Sequence, residues 1–84
     1  MPTISTFYGI IIMMFLREKE HNPPHIHAFY GSESAPFLIE TGELMEGEFP
    51  IKEQKLVKEF ILKYKKELQT MWDTEVYIKL KGLE

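Results

Sequence analysis

The sequence predicts an α+β fold: a small antiparallel sheet of about four strands packed on one long C-terminal amphipathic helix. Three features carry that expectation. β-Branched, aromatic and long aliphatic residues crowd positions 4–16. Short alternating segments punctuated by Gly and Pro follow as far as Pro50. From Pro50 onward, apolar residues recur at helical spacing. A chain of 84 residues has room for one core, because domains typically run to ~100–150 residues, so 1–84 reads as a single domain.

The first strand is expected over 4–16. Period two puts Ile4, Thr6, Tyr8, Ile10, Ile12, Met14 and Leu16 on one face, and Ser5, Phe7, Gly9, Ile11, Met13 and Phe15 on the other. From Ile10 both faces are apolar. A short buried helix is disfavoured by three consecutive isoleucines and by Gly9. Arg17, Glu18, Lys19 and Glu20 form a charged exit, and Pro23-Pro24 lacks the N–H donors a ladder needs, so the chain turns there.

A second strand is expected over 25–30, with His25, His27 and Phe29 on one face and Ile26, Ala28 and Tyr30 on the other. Gly31 to Ser34 reads as a turn. A third strand follows over 35–40, with Pro36 marking an edge or an irregular start. Thr41-Gly42 makes a tight turn into a short fourth strand at 43–46. Behind Pro50, which suits the first turn of a helix, the helix is expected over 51–72. Its apolar stripe is Val57, Phe60, Ile61, Tyr64, Leu68, Met71 and Trp72, while Lys52, Lys55, Glu59, Lys63 and Lys66 fill the solvated side. In the tail, 73–84, Val76, Ile78 and Leu80 alternate with Glu75, Tyr77 and Lys79, which fits either a short added strand or a frayed terminus.

One helix covers one face of a sheet. The two-sided apolar character of 4–16 therefore calls for a second layer, from another copy, from another protein, or from the tail or a loop. A homo-oligomer or a hetero-complex is the expectation.

Composition narrows the function classes. The net charge of −3 divides into an acidic sheet region, 1–50, a basic helix, 51–72, and a nearly balanced tail. A mildly acidic chain has no general drive toward nucleic acid, so an RNA contact would have to use the local basic segment. Cysteine is absent, which excludes disulfides and thiolate metal sites and fits an intracellular protein. The most apolar run, residues 10–16, is far short of the ~20 residues that cross a bilayer. Met1-Pro2-Thr3 lacks the charged start of a secretory signal, so a cytoplasmic location is expected. The glycines form no phosphate-binding loop.

All three histidines fall within seven residues, His21-Asn22-Pro23-Pro24-His25-Ile26-His27. On a strand His25 and His27 project from the same face, and His21 can fold back across the Pro-Pro turn. Such a set can hold a divalent metal if a carboxylate such as Glu18, Glu20 or Glu40 completes it. It can equally supply the acid and base of a phosphodiester cleavage, with Arg17, the one arginine, steadying the developing charge. The plainer alternative is that the imidazoles hydrogen-bond loop backbone and shape the turn.

The opening MPTISTFYGI, the HNPPHIHA segment at 21–28 and the ETGE segment at 40–43 together resemble a family of small bacterial proteins known as domain of unknown function 4160. The resemblance runs to about Trp72 and fades over 73–84. Members are often encoded beside a second small protein, in an arrangement like a toxin–antitoxin module with this family cast as the toxin. The resemblance thus implies a toxin-like component acting on RNA or translation, held by a cognate antitoxin partner. His21, His25 and His27 would be acid, base or phosphate ligands, and Arg17 would stabilise charge. The alternative is a non-enzymatic binding or regulatory module that takes a metal through the histidines.

Overall fold

A computed structural model describes residues 2–15 and 23–84. Four strands, β1 (Thr3–Phe7), β2 (Ile10–Met13), β3 (His25–Tyr30) and β4 (Glu33–Leu38), form one antiparallel sheet in the order β1-β2-β3-β4. Two helices follow, α1 (Ile51–Lys63) and α2 (Lys65–Thr74). The α+β class and the four-strand sheet are as the sequence predicts, but the strands are drawn from different residues.

The run 4–16 is not one strand. Tyr8 (φ 49°) and Gly9 (φ 80°) both adopt positive φ and fold it into a hairpin, pairing Phe7 with Ile10 and Thr6 with Ile11. Positive φ at both central residues is what a two-residue type I′ turn requires, and Asn-Gly is its usual sequence. Tyrosine in the first of those positions hides the turn from a reader of sequence. The register slips between Thr3 and Ser5 opposite Met13 and Ile12, and the extra residue leaves Ile4 and Ser5 both buried.

β3 occupies the expected span. It joins β4 through a turn at Gly31-Ser32, so β4 begins at Glu33 and ends at Leu38 rather than covering 35–40. The expected fourth strand, 43–46, is reduced to a single bridge between Leu44 and Phe37, flanked by Leu38 N–H to Glu43 O (2.9 Å) and Met45 N–H to Pro36 O (2.9 Å). Gly42 sits in the connecting turn at φ 76°, pressed onto α1. A Cβ there would lie 3.2 Å from the Lys58 Cα and 2.8 Å from its Cγ. Gly42→Ala is expected to lower stability by about 1–3 kcal/mol, from the left-handed conformation and the crowding together, as read by urea denaturation.

The single long helix is corrected to two, of 13 and 10 residues, hinged at Tyr64 (φ −113°, ψ 24°). Tyr64 N–H still reaches Phe60 O (3.1 Å) and Leu68 N–H reaches Tyr64 O (2.9 Å), so the apolar stripe carries across the hinge unbroken. No Pro or Gly marks the junction. One stripe serves two places: Phe60 stacks on Phe7 at 4.9 Å, and Trp72 meets His25 at 5.1 Å.

The core lies between the helices and one face of the sheet. Phe7, Ile10 and Ile12 of the hairpin, Ile26 and Ala28 of β3, and Ala35 and Phe37 of β4 are buried against Val57, Phe60, Ile61, Leu68, Met71 and Trp72. The tail covers an edge, not the second face. Leu80 N–H bonds Ile4 O (2.8 Å), Gly82 packs over Thr6 and Phe7, and Glu84 Oε2 accepts from Tyr8 N–H (2.9 Å). Those contacts advance together along both segments, so residues 80–84 run parallel to β1 along its free edge. A free edge is a template for unwanted pairing, and the tail occupies it.

Candidate functional site

β3 carries two of the predicted site residues. Strand alternation sends His25 and His27 to the side away from Ile26 and Ala28, and their rings meet edge-on with centroids 5.2 Å apart. His25 is buried at 6 % exposure. Its Nδ1 lies 2.8 Å from Pro23 O, so that nitrogen carries the proton and donates to the carbonyl. The other side of the ring faces Trp72. His27 is half-buried, with the Phe15 ring 4.0 Å from it at a 32° tilt. The register allows this contact on the diagonal: Met13 pairs with His27, and Phe15 lies two residues further along the same face.

The Pro-Pro step fixes the entrance to this strand. Pro23 offers its carbonyl to His25, and Pro24 O accepts from Ile39 N–H (3.1 Å), which extends the pairing of β3 with β4 beyond Leu38. Prolines that cannot donate are thus used as acceptors. Arg17 and His21, the other two predicted site residues, and the carboxylates Glu18 and Glu20 lie outside the described residues. Glu40 is exposed in the turn after β4 and lines a different part of the surface, a groove of about 720 Å³ with Lys63, Lys66 and Glu67. Among the described residues no three His, Asp or Glu side chains come together as a metal site.

The structure therefore builds a row of four rings, Phe15, His27, His25 and Trp72, across the start of β3 and the end of α2. Sequence reasoning assigned Phe15 and Trp72 to the strand face and the core and missed them as histidine neighbours. For Phe15 the signal was present in the two-residue period. For Trp72 it was not, since the contact joins segments far apart along the chain. Chemically, the row offers one imidazole locked by a backbone bond and an indole, and a second, more open imidazole against a phenyl ring.

Around the histidines the outer face of the sheet is apolar. Pairing places Ile11 beside Phe29, and Met13 beside His27 and Pro36. Ile11 is 37 % exposed, and Met13, Phe29, Pro36 and Leu38 are half-buried. No helix of the described residues is long and apolar enough to cross a membrane.

No curated protein and no solved structure matches this chain. A family profile does, over residues 9–73, a span that runs from Gly9 of the β1–β2 turn through the ring row and both helices up to Asp73. The chain belongs to the family described as Domain of unknown function (DUF4160).

Proposed function

We propose that the protein is the toxin-like member of a bacterial two-protein module acting on RNA or translation, whose cognate small partner covers the outer face of the sheet. The observation that carries the reading is that face, with its half-buried or exposed Ile11, Met13, Phe29, Pro36 and Leu38 surrounding the two histidines. A partner seated there would bury the apolar residues and close over His27 at the same time, so inhibition and binding would be one event. In this reading the histidines have different jobs. His27, the more open ring, is the acid–base or phosphate-contacting group, and His25, fixed by Pro23 and Trp72, positions it. Arg17 and His21 belong to the same proposal as charge-stabilising and acid–base residues.

Growth after induction tests this. Cells expressing the protein alone should grow more slowly than cells with empty vector, and His27→Gln should restore growth. Alanine at His25 would open a space beside Trp72, so His25→Asn is the better second variant, with folding checked by circular dichroism. Growth equal to empty vector removes the toxin reading; toxicity that survives His27→Gln removes the histidine mechanism.

The second reading, a non-enzymatic binding or regulatory module, is favoured by the burial of His25 and its bond to the turn backbone, the arrangement of a structural histidine. If it also takes a divalent metal, protein purified without a histidine tag should hold the metal stoichiometrically and lose it with His27→Gln, by elemental analysis.

A further inference from the structure

A second cavity, of about 380 Å³, lies at the opposite end of the sheet, between the β1–β2 turn and the first turn of α1, lined by Tyr8, Tyr30, Lys52, Glu53 and Leu56. It falls in the ~300–1,000 Å³ range of small-ligand sites. Glu53 is its distinctive group. As a residue it is nine-tenths buried, but its carboxylate oxygens are not enclosed, and among the described residues it has no hydrogen bond or ion pair. It stands at the third position of α1, where a glutamate ordinarily reaches back to the N–H of the N-cap residue. The N-cap is Pro50, which has no N–H. The usual partner of this carboxylate is therefore missing by sequence, and the side chain lines a cavity instead.

The rest of the cavity wall is aromatic. Tyr30 is half-buried, and Tyr8 is 52 % exposed while holding a positive φ that tyrosine adopts at a cost. Asparagine or glycine would make that turn without strain. Retaining an exposed aromatic ring in a strained position, pinned by Glu84 through its backbone N–H, is the kind of local conflict that accompanies binding sites. Two aromatic rings beside a carboxylate without a protein partner select for a planar cation, which stacks on the rings and forms paired bonds to both carboxylate oxygens. Lys52 opposes a cation, but it is the next residue along the helix, exposed, on a stem long enough to carry its ammonium into solvent.

We propose that this cavity binds a guanidinium group, with Glu53 as its counter-ion and Tyr8 and Tyr30 as its walls. The site is independent of the histidine row and of the function proposed above. The guanidinium can belong to a free small molecule or to an arginine side chain of a protein, and the probes separate the two.

The test is a titration of the full chain, followed by amide NMR shifts, with N-acetyl-arginine amide, with a short arginine-bearing peptide, and with N-acetyl-citrulline amide as the neutral isostere. Saturable shifts centred on Tyr8, Tyr30 and residues 52–56 are expected with the first two probes and not with citrulline. Comparable affinity for the two arginine probes points to a small molecule, and tighter binding of the peptide to a protein side chain. Glu53→Gln should weaken binding about tenfold or more, the usual effect of losing a charge-assisted bond. Tyr8→Asn, which relieves the strained turn and so should fold at least as well, should weaken binding severalfold. Absence of saturation by either arginine probe, equal binding of citrulline, or unchanged affinity in both variants would overturn the proposal.

Discussion

Phe60→Ala is expected to destabilise the protein by about 3–5 kcal/mol, the cost of emptying an aromatic site in a closed core. Phe60 has no exposed surface, stacks on Phe7 at 4.9 Å and meets Tyr64 at 5.0 Å, so it ties the hairpin to α1 and to the helix hinge together. Natural domains hold ~0.05–0.15 kcal/mol per residue, about 4–13 kcal/mol for 84 residues, so the loss takes a large share of the folding free energy. Urea denaturation followed by far-UV circular dichroism should find the unfolding midpoint sharply lowered. The matching substitution on the outer face, Phe29→Ala, removes a half-buried ring and should cost far less. Comparable losses at the two positions would mean that the sheet is covered on both sides by this chain itself.

Ending the chain after Glu75 is the second large effect. Tyr77, Leu80 and Leu83, all partly buried, pack against the core, and at ~1–1.3 kcal/mol each, below the ~1.5–3 kcal/mol of a fully buried side chain, the truncation should cost about 3–4 kcal/mol. It also strips β1 of the segment on its free edge. The shortened protein should therefore self-associate on size-exclusion chromatography as concentration rises, while the full chain does not share that edge-driven association. Gly82→Val is the subtler version. Its Cβ would come within 2.7 Å of Phe7 Cβ and 2.8 Å of Thr6 O, so the tail must lift without any residue being removed. If both variants melt with the parent protein, the tail contributes nothing and behaves as the frayed terminus that its sequence also allowed.

The same tail shows why parts of the fold were legible and others were not. Val76, Ile78 and Leu80 have strand-like alternation, yet Val76 and Ile78 are exposed and no ladder forms. What holds residues 80–84 is a neighbour seventy-six residues earlier in the chain, the separation of Tyr8 from Glu84. Alternation cannot report such a partner. The split of the first strand is similar. Gly9 alone was weak evidence for a turn, because the strain that a tight hairpin puts on Tyr8 is an unfavourable local choice that only the surrounding sheet can sustain. In α1 and α2 the apolar stripe predicts a continuous helix, and it does run without interruption through Tyr64. The break at Tyr64 departs from helical dihedrals without interrupting the period, so no spacing reveals it.

The candidate site divides along the same line. That His25 and His27 share a face follows from the two-residue period of a strand and was readable from sequence. That His25 is buried against an indole was not, because Trp72 is 47 residues away along the chain. Glu53 has the place of an ordinary helix-start glutamate, and its missing partner is visible in sequence only once Pro50 is known to be the N-cap.

By itself, then, the sequence determined the α+β class, the span of β3 from His25 to Tyr30, the start of the helical region at Ile51 and the apolar stripe that faces the core. These follow from side-chain periodicity and from the backbone limits of proline, which act over a few residues. Tertiary structure alone decided the hairpin at Tyr8-Gly9, the hinge at Tyr64, the seat of the tail on β1, and the two groupings of functional interest, the ring row and the Glu53 cavity. Each of these depends on contacts between segments distant along the chain, and their free energy is set by the packing of the whole core.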